Sequence, residues 1–217
     1  SGASTATGWV SVRSGGLEFG AGAALGASSV FVAPASSGLS TAAGATFTLG
    51  AGKVLGGGGA LNGSFVVDVG GRLEPGIVDP SVSPVPSASV LLNTQVQATG
   101  TFAINGEVKL RLGASGTVFG GVGGVASAMG NSKADKLTIT GNLSIGVGST
   151  ISVLANDGSN GDGTPTAPQQ VGRYDLIQYT GTRSGSFFTN KTNLNTIFNT
   201  PTLRPAWFDD PVTKIIG

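Results

Sequence analysis

Short runs of apolar residues alternate with polar residues along most of the chain, and each run ends at Gly, Asn, Ser or Pro. The clearest runs are Trp9/Val10/Val12, Val30/Val32, Phe47/Leu49, Phe65/Val67/Val69, Phe102/Ile104, Val108/Leu110/Leu112, Leu137/Ile139, Leu143/Ile145/Val147, Ile151/Val153 and Leu176/Ile177. A period of two that is bounded by turn residues is typical of β-strands. No segment carries the i, i+3, i+4, i+7 stripe of an amphipathic helix, so the pattern predicts an all-β fold with almost no helix.

The segment "KVLGGGGALNGSFVVDVGGRLEPG", residues 53 to 76, combines this alternation with a high density of glycine. Glycine loses more backbone entropy on folding than any other residue, so such a segment would ordinarily be a flexible linker. The interleaved Leu61, Phe65, Val67 and Leu73 are not needed in a linker. They predict a folded structure in which glycine supplies positive φ angles and close backbone approaches at sharp corners.

The strands also repeat. "GKVLGGG" at Gly52 and "GRLEPG" at Gly71 lie nineteen positions apart, and "STISV" at Ser149 lies close to four further steps along the chain. A period of about 20 residues is typical of stacked repeats. It indicates a β-solenoid that forms one domain over residues 1–217, while an antiparallel β-sandwich, which needs the same strands and turns, is the alternative. The predicted inward-facing residues are Leu61, Phe65, Val67, Leu73, Leu137, Ile139, Leu143, Ile145, Ile151 and Val153.

The composition of the chain limits the partners and the catalytic and metal sites that it can have. Only 11% of the residues are charged, the net charge is +1, and the Lys and Arg residues are dispersed, which argues against nucleic acid and anionic membranes as partners. The chain has no Cys and no His, which excludes disulfides, Ser-His-Asp and Cys-His catalysis and the usual zinc sites. No apolar run approaches the ~20 residues of a spanning helix, so no membrane insertion is predicted. Because Ser1 rather than Met comes first, we expect a soluble chain without its targeting signal.

Three segments of the chain share a similar character: "GGGGALNGSFVVDVGGRLEPG" (56–76), "ADKLTITGNLSIGVGSTISVLANDG" (134–158) and "VGRYDLIQYTGTRSGSFF" (171–188). They resemble the β-strand repeats associated with autotransporter passenger domains. The resemblance implies a right-handed parallel β-helix that is exported to the cell surface of a Gram-negative-type bacterium. Proteins with such passengers include adhesins, proteases and plain spacers. The chain departs from the repeat pattern at three insertions, residues 77–89, 119–133 and 156–170, which are predicted to be surface loops, where function would lie.

Carboxylate chemistry is the catalytic possibility that remains. The close acidic pairs are Asp209 with Asp210, Asp68 with Glu74, and Asp157 with Asp162. A glycosidase needs two carboxyl groups that face one cleft, about 5 to 9.5 Å apart. Adjacent residues of a strand point to opposite faces, which argues against the first pair, and the second pair flanks a turn and is expected to be solvated there. The sequence therefore predicts that the protein is not an enzyme.

Two glycine-rich motifs raise the question of a ligand. "NDGSNGDG", Asn156 to Gly163, offers the oxygen ligands that Ca²⁺ takes, but it lacks the spacing of an EF-hand and is equally typical of a solvated loop. "GVGGVA", Gly121 to Ala126, matches a dinucleotide fingerprint without the strand and helix that the site requires. We predict no cofactor and no metal. The scattered aromatic residues are either a sugar-stacking platform or core and end-cap residues: Trp9, Tyr174, Tyr179 and Trp207.

The ends of a solenoid expose unpaired strand edges that need a cap or a neighbour. No amphipathic helix is predicted in the N-terminal segment 1–15 or the C-terminal segment 199–217, and both contain β-prone runs, "GWVSVRSG" and "AWFDDPVTKIIG". Head-to-tail pairing of these runs would generate an open filament, whereas folding back on their own chain would make them caps. The residues predicted for the self-assembly interface are Trp9, Val10, Val12, Trp207, Phe208, Ile215 and Ile216.

Together these features predict a secreted, non-catalytic structural β-solenoid, a self-assembling fibre or surface-layer subunit at the cell surface or outside the cell. Its main partner would be itself. The alternative is an adhesin-like module that binds surface glycan or a host surface through its insertions, and a polysaccharide-active enzyme is the least favoured hypothesis.

Overall fold

The computed structural model describes residues 7–23, 27–33, 37–75, 77, 95–113, 135–156, 174–186, 188–194 and 206–217. Within them the chain forms eighteen β-strands and no α-helix, which confirms the predicted all-β fold. The strands are β1 (Thr7–Val12), β2 (Gly15–Phe19), β3 (Ala27–Val32), β4 (Ser37–Thr41), β5 (Thr46–Leu49), β6 (Val54–Gly57), β7 (Ala60–Asn62), β8 (Ser64–Val67), β9 (Arg72–Glu74), β10 (Gln95–Ile104), β11 (Glu107–Gly113), β12 (Lys136–Ile145), β13 (Thr150–Asn156), β14 (Ile177–Tyr179), β15 (Arg183–Ser184), β16 (Asn190–Lys191), β17 (Asp209–Asp210) and β18 (Ile215–Ile216).

The strands form two sheets. A seven-stranded sheet has the order β1-β3-β6-β9-β11-β13-β16, and an eleven-stranded sheet follows the path β2-β4-β7-β10-β12-β14-β18-β17 with β5, β8 and β15 beside it. The pairings from β1 to β16 in the described part are parallel, and only β18 pairs antiparallel, with β14 and β17. A β-sandwich requires antiparallel neighbours, so that alternative does not describe these sheets.

One hydrophobic core lies between the sheets, and its side chains stack in columns from strand to strand. One column belongs to the seven-stranded sheet and runs through Val10, Val30, Leu55, Leu73, Val108 and Ile151. Another belongs to the eleven-stranded sheet and runs through Leu17, Leu39, Leu61, Ala98, Ile139 and Tyr179. The ten residues predicted to face inward are all buried, so that prediction is confirmed.

The alternation predicts that two valines, Val69 and Val147, lie in strands, and both predictions are wrong. Val69 is 69% exposed and Val147 is 94% exposed. Each lies beyond the end of its strand, next to a glycine with positive φ, Gly70 or Gly148, where the chain turns. The apolar alternation therefore continues past the point at which the backbone leaves the sheet.

The spacing between paired strands is less regular than predicted. Val54 pairs with Arg72, so the step is eighteen positions and not the nineteen that the "GKVL" and "GRLE" pieces suggested. Glu107 pairs with Arg72 on one side and with Thr150 on the other, which places Ser149 two pairing steps beyond Gly71 rather than four. The later steps are long because each contains one of the insertions.

A column of glycines crosses the eleven-stranded sheet at Gly63, Gly100 and Gly141. Gly100 has φ +105°, and a Cβ there would collide with the carbonyl oxygen of Gly63. A Cβ on Gly141 would collide in the same way with the carbonyl oxygen of Gly100. These positions have the close backbone approach that the glycine content predicted.

Candidate functional site

The chain leaves the seven-stranded sheet for its long insertions at one edge. β9, β11 and β13 are parallel neighbours, and each is followed by a long segment outside the described residues: most of 76–94 after β9, 114–134 after β11 and 157–173 after β13. The chain returns at β10, β12 and β14, which are neighbours in the other sheet. Apart from Ile77 and Asn156, the predicted insertions 77–89, 119–133 and 156–170 lie outside the described residues. Their attachment points are nevertheless close together, because the carboxyl ends of parallel neighbours share an edge.

A cluster of charged side chains lies on the outer face of β9 and β11, beside this edge. We call it the charged cluster: Arg72, Glu74, Glu107, Lys109 and Arg111. The Glu74 side chain is its centre and is 2% exposed as a residue. Glu74 Oε2 lies 2.9 Å from Arg72 Nε, and Glu74 Oε1 lies 2.9 Å from Arg111 Nη2 and 3.5 Å from Lys109 Nζ.

Two further contacts tie the cluster to the neighbouring strands. The Arg111 backbone N–H donates to the Asp135 carboxylate at 3.0 Å, and the Asp135 N–H donates to the Arg111 carbonyl at 2.9 Å. Asp135 directly precedes β12, so this exchange anchors the chain where the second insertion ends. On the other side, the Ser152 hydroxyl of β13 donates to Glu107. The side chains thus link β9, β11 and β13 to one another.

The arrangement of the charged cluster is suited to stabilising the fold. The cluster holds three cations and two carboxylates, and the neighbouring Asp135 carboxylate balances the third cation, so the cluster and Asp135 together carry no excess charge to attract an ionic ligand. A glycosidase pair needs two carboxyl groups that face a cleft wide enough for a sugar. Glu74 instead faces three cations and is covered. Removing one partner of such a buried network costs about 3–5 kcal/mol, because it leaves the opposite charge uncompensated.

The acidic residues that were considered as pairs from the sequence each make different contacts in the structure. The expectation that Glu74 is solvated at a turn is wrong, because its side chain points to the outer face of β9 and is enclosed by the charged cluster. Asp68 is exposed, and its carboxylate accepts the Val69 N–H at 2.8 Å within the turn. Asp210 accepts the N–H groups of Val212 and Thr213, at 2.9 and 3.2 Å. The sequence signal for the cluster was present, since R-x-E and E-x-K-x-R place charges on alternate strand positions.

The N-terminal residues of the predicted self-assembly interface lie on β1. Val10 and Val12 pair with Val30 and Val32 of β3. Val12 is buried, whereas Trp9 and Val10 are half-buried. These three residues therefore lie at the amino-terminal end of the core, and their role in self-assembly stays a prediction.

The C-terminal residues of that interface pack on their own chain. Ile216 is fully buried and pairs with Ile177, and the half-buried Ile215 pairs with Gln178. The Trp207 indole N–H donates to the Thr192 carbonyl at 3.1 Å, and Phe208 and Gly217 exchange backbone hydrogen bonds. Residues 206–217 are thus folded back over β14, in the manner of a cap. The role of these residues in self-assembly stays a prediction.

An ion pair and a buried tyrosine accompany this fold-back. Arg183 of β15 pairs with Asp209 of β17, and the hydrogen bond from the guanidinium to Asp209 raises the pKa of Arg183 above its ordinary value. Burial raises the pKa of the Tyr174 phenol above its ordinary value of 10.0. Both groups lie at the end of the core that residues 206–217 cover.

The remaining motifs give no site among the described residues. No group of three or more Asp or Glu side chains in that part of the chain is placed to hold a metal ion. "GVGGVA" and all of "NDGSNGDG" after Asn156 lie outside it. No helix in the described ranges is long and apolar enough to cross a membrane.

Comparison with known proteins adds no relative: no protein-family model matches the chain, and neither the curated proteins nor the solved structures contain a significant match. The resemblance to autotransporter-associated repeats therefore stays a prediction.

Proposed function

We propose that the chain is a non-catalytic structural module, a right-handed parallel β-helix that serves as a rigid spacer in an exported cell-surface protein. The observation that carries this proposal is the way in which the two sheets fill the core between them. Both sheets contribute columns of stacked apolar side chains from one parallel strand to the next, and the chain passes repeatedly from one sheet to the other and back. Right-handed crossover is the general rule for parallel strands. Each turn of such a fold contacts only the turns next to it, so the main effect of stacking turns is a long and stiff molecule.

The three insertions fit a scaffold that displays loops. They begin at the ends of three neighbouring strands, and the charged cluster and Asp135 fix the backbone where the first two are attached. A rigid frame that positions variable segments on one edge is a common basis for recognition. This favours the second candidate function, an adhesin-like module that binds surface glycan or a host surface.

Export and self-association are further parts of the proposal. Low charge, many small residues and the resemblance to passenger repeats support a location outside the cell or at the cell surface. Exposed strand edges support a second copy of the chain as partner. A polysaccharide-active enzyme receives no support from Glu74, because that carboxylate is occupied by ion pairs within the charged cluster.

Insertion of one additional turn tests the proposed fold and spacer function. Residues 54–71 separate the paired positions Val54 and Arg72. A variant with a second copy of residues 54–71 placed after Gly71 should fold cooperatively, with a larger denaturant m-value because it buries more surface on folding. The matched control inserts the same residues in scrambled order, which should destabilise the protein. If the repeated and scrambled insertions behave alike, the proposed β-helix is overturned.

A glycan array separates the two candidate functions. A spacer should give no selective signal. Selective binding that is lost when residues 157–173 are replaced by a short Gly/Ser link, with the melting temperature unchanged, would favour the adhesin-like module. Turnover of a polysaccharide that Glu74→Gln abolishes without loss of folding would contradict both.

A further inference from the structure

The first strand of the eleven-stranded sheet, β2, has an exposed edge. In the described part of the chain β2 pairs with β4 alone. The Phe19 carbonyl accepts the Ala42 N–H, so Phe19 directs its backbone groups towards the side of β4. Backbone direction alternates along a strand, which means that the N–H and C=O groups of Gly16 and Glu18 point away from β4. Gly15, Gly16 and Glu18 are all exposed.

The core is also open at this strand. Leu17 belongs to the same inward column as Leu39, yet Leu17 is half-buried while Leu39 is 0% exposed. The difference arises because Leu39 has a strand on each side, β2 and β7. An edge with backbone groups directed outward, next to a partly exposed apolar side chain, fits the addition of another strand.

We propose that a second copy of this chain docks on β2, with the two β2 strands antiparallel across a two-fold axis at Leu17. This register places Gly16 of each copy opposite Glu18 of the other. These are the residues whose backbone groups point outward, so each such pair exchanges two hydrogen bonds. The two Leu17 residues form the intervening pair without hydrogen bonds, in which side chains approach most closely, and they extend the apolar column across the axis.

Charge and the number of paired residues together favour this register. Centring the pair on Glu18 would place two carboxylates directly opposite each other, which is destabilising. Centring it on Leu17 gives each Glu18 a glycine as its opposite residue, and all five residues of β2 are paired. A contact of this kind is self-complementary, as an interface with two-fold symmetry must be.

Charge also argues against a head-to-tail stack through the same sheet. At the other end of the sheet the path finishes in β17, which consists of Asp209 and Asp210. Glu18 would meet two carboxylates there, and because the one on Asp209 is already paired with Arg183, the repulsion would come from Asp210. β2 therefore finds a complementary edge in another β2, and an isologous contact closes into a pair and does not propagate. The inference rests on the proposed self-association, and it replaces the open filament with a closed dimer.

Charge substitution at Gly16 tests the register. Gly16 has no positive φ, and a Cβ there would meet nothing within 4 Å, so a side chain fits on the isolated chain. Sedimentation equilibrium of the 217-residue chain should show a monomer–dimer equilibrium. Gly16→Glu should weaken dimerisation about tenfold, because it creates two opposed like-charge pairs. Gly16→Lys, the matched control, should preserve or strengthen the dimer, and Gly16→Glu combined with Glu18→Lys should restore it.

The outcomes separate this inference from the proposed function. A chain that is monomeric at every concentration overturns both the dimer and self-association, while the additional-turn experiment still decides the β-helix. Growth into polymers overturns the closed dimer and supports the filament. A dimer that Gly16→Glu and Gly16→Lys affect equally overturns the β2 interface.

Discussion

At the amino-terminal end of the core the sheets finish in β1 and β2, which pair on one side only among the described residues. At the carboxy-terminal end, β14 is covered by β18, and β18 in turn by β17, both antiparallel. The two ends of the inward column of the eleven-stranded sheet differ in the same way. Leu17 at the first end is half-buried, whereas Tyr179 at the other end is buried.

The two ends differ in how their exposed strand edges are protected. A strand edge attracts further strands, and proteins protect edges with charge, short strands or a covering segment. At its carboxy-terminal end the eleven-stranded sheet has all three, because β17 is two residues long, is made of aspartates and lies on a fold-back segment. β2 has two glycines and a single charged residue. This difference is the reason that we propose the amino-terminal end as the place of association.

Removal of the fold-back segment should break the contrast most strongly. Deleting residues 206–217 removes the fully buried Ile216 and the partly buried Trp207 and uncovers the edge of β14. We expect a loss of at least about 2–5 kcal/mol in the free energy of unfolding, the usual effect of emptying one buried aliphatic site. With both ends exposed, assemblies should also grow beyond a dimer, as measured by light scattering.

Val212→Ser is the control for this deletion, because Val212 lies in the same segment and is 87% exposed. It should change neither the stability nor the size of the protein. A deletion variant with the stability and size of the parent would show that residues 206–217 protect nothing.

Matched truncations within one column should sharpen the comparison. Leu39→Ala should cost about 2–5 kcal/mol because Leu39 is fully buried, whereas Leu17→Ala should cost about 1 kcal/mol because its side chain keeps contact with water. Both are measured by urea denaturation at a concentration where the chain is monomeric. Equal costs would mean that another part of the chain already covers the amino-terminal end.

The sequence predicted the interior better than the edges. Alternation with a period of two identified the buried positions because each strand is lined by one inward face, as at Leu137 and Ile139. It failed at Val69 and Val147, where apolar residues follow the end of a strand. The repeat length failed by one residue at Val54, because a glycine-rich segment can be aligned in more than one register.

The charged cluster shows a different limit. Arg111 is distant in sequence from Arg72 and Glu74, and only the pairing of β9 with β11 brings it to them across an insertion. Spacing along the chain placed Glu74 beside Asp68 at a turn, whereas strand pairing placed it among cations. The position of residues 206–217 was open for the same reason, since a β-prone run can pair with its own sheet or with a neighbour.

The ion pair at the carboxy-terminal end should contribute less than the packing. A double-mutant cycle with Arg183→Met and Asp209→Asn should give a coupling energy of about 1 kcal/mol, because the pair is partly screened by solvent. The coupling should fall at high salt. Glu18→Gln at the open end, the matched control, should alter monomer stability by less than about 0.5 kcal/mol. A coupling energy near zero would leave the hydrophobic contacts of Ile216 as the main attachment of the segment.

The smallest expected effect is a dependence on alkaline pH that belongs to the carboxy-terminal end. Tyr174 lies there, with its backbone carbonyl against Gly217, and burial raises the pKa of its phenol above 10.0 in the folded protein. Above the ordinary pKa the unfolded chain releases this proton while the folded chain retains it, so the unfolded state is favoured. The contribution is therefore complete below pH 10 and is lost as the pH rises through the folded pKa, with a slope of at most about 1.4 kcal/mol per pH unit. Melting temperatures across this range should decline less steeply for Tyr174→Phe than for the parent. Parallel pH profiles for the two proteins would contradict this prediction. They would show that the Tyr174 phenol has the same pKa in the folded and unfolded states, and that this end of the core is as accessible to water as Leu17 is.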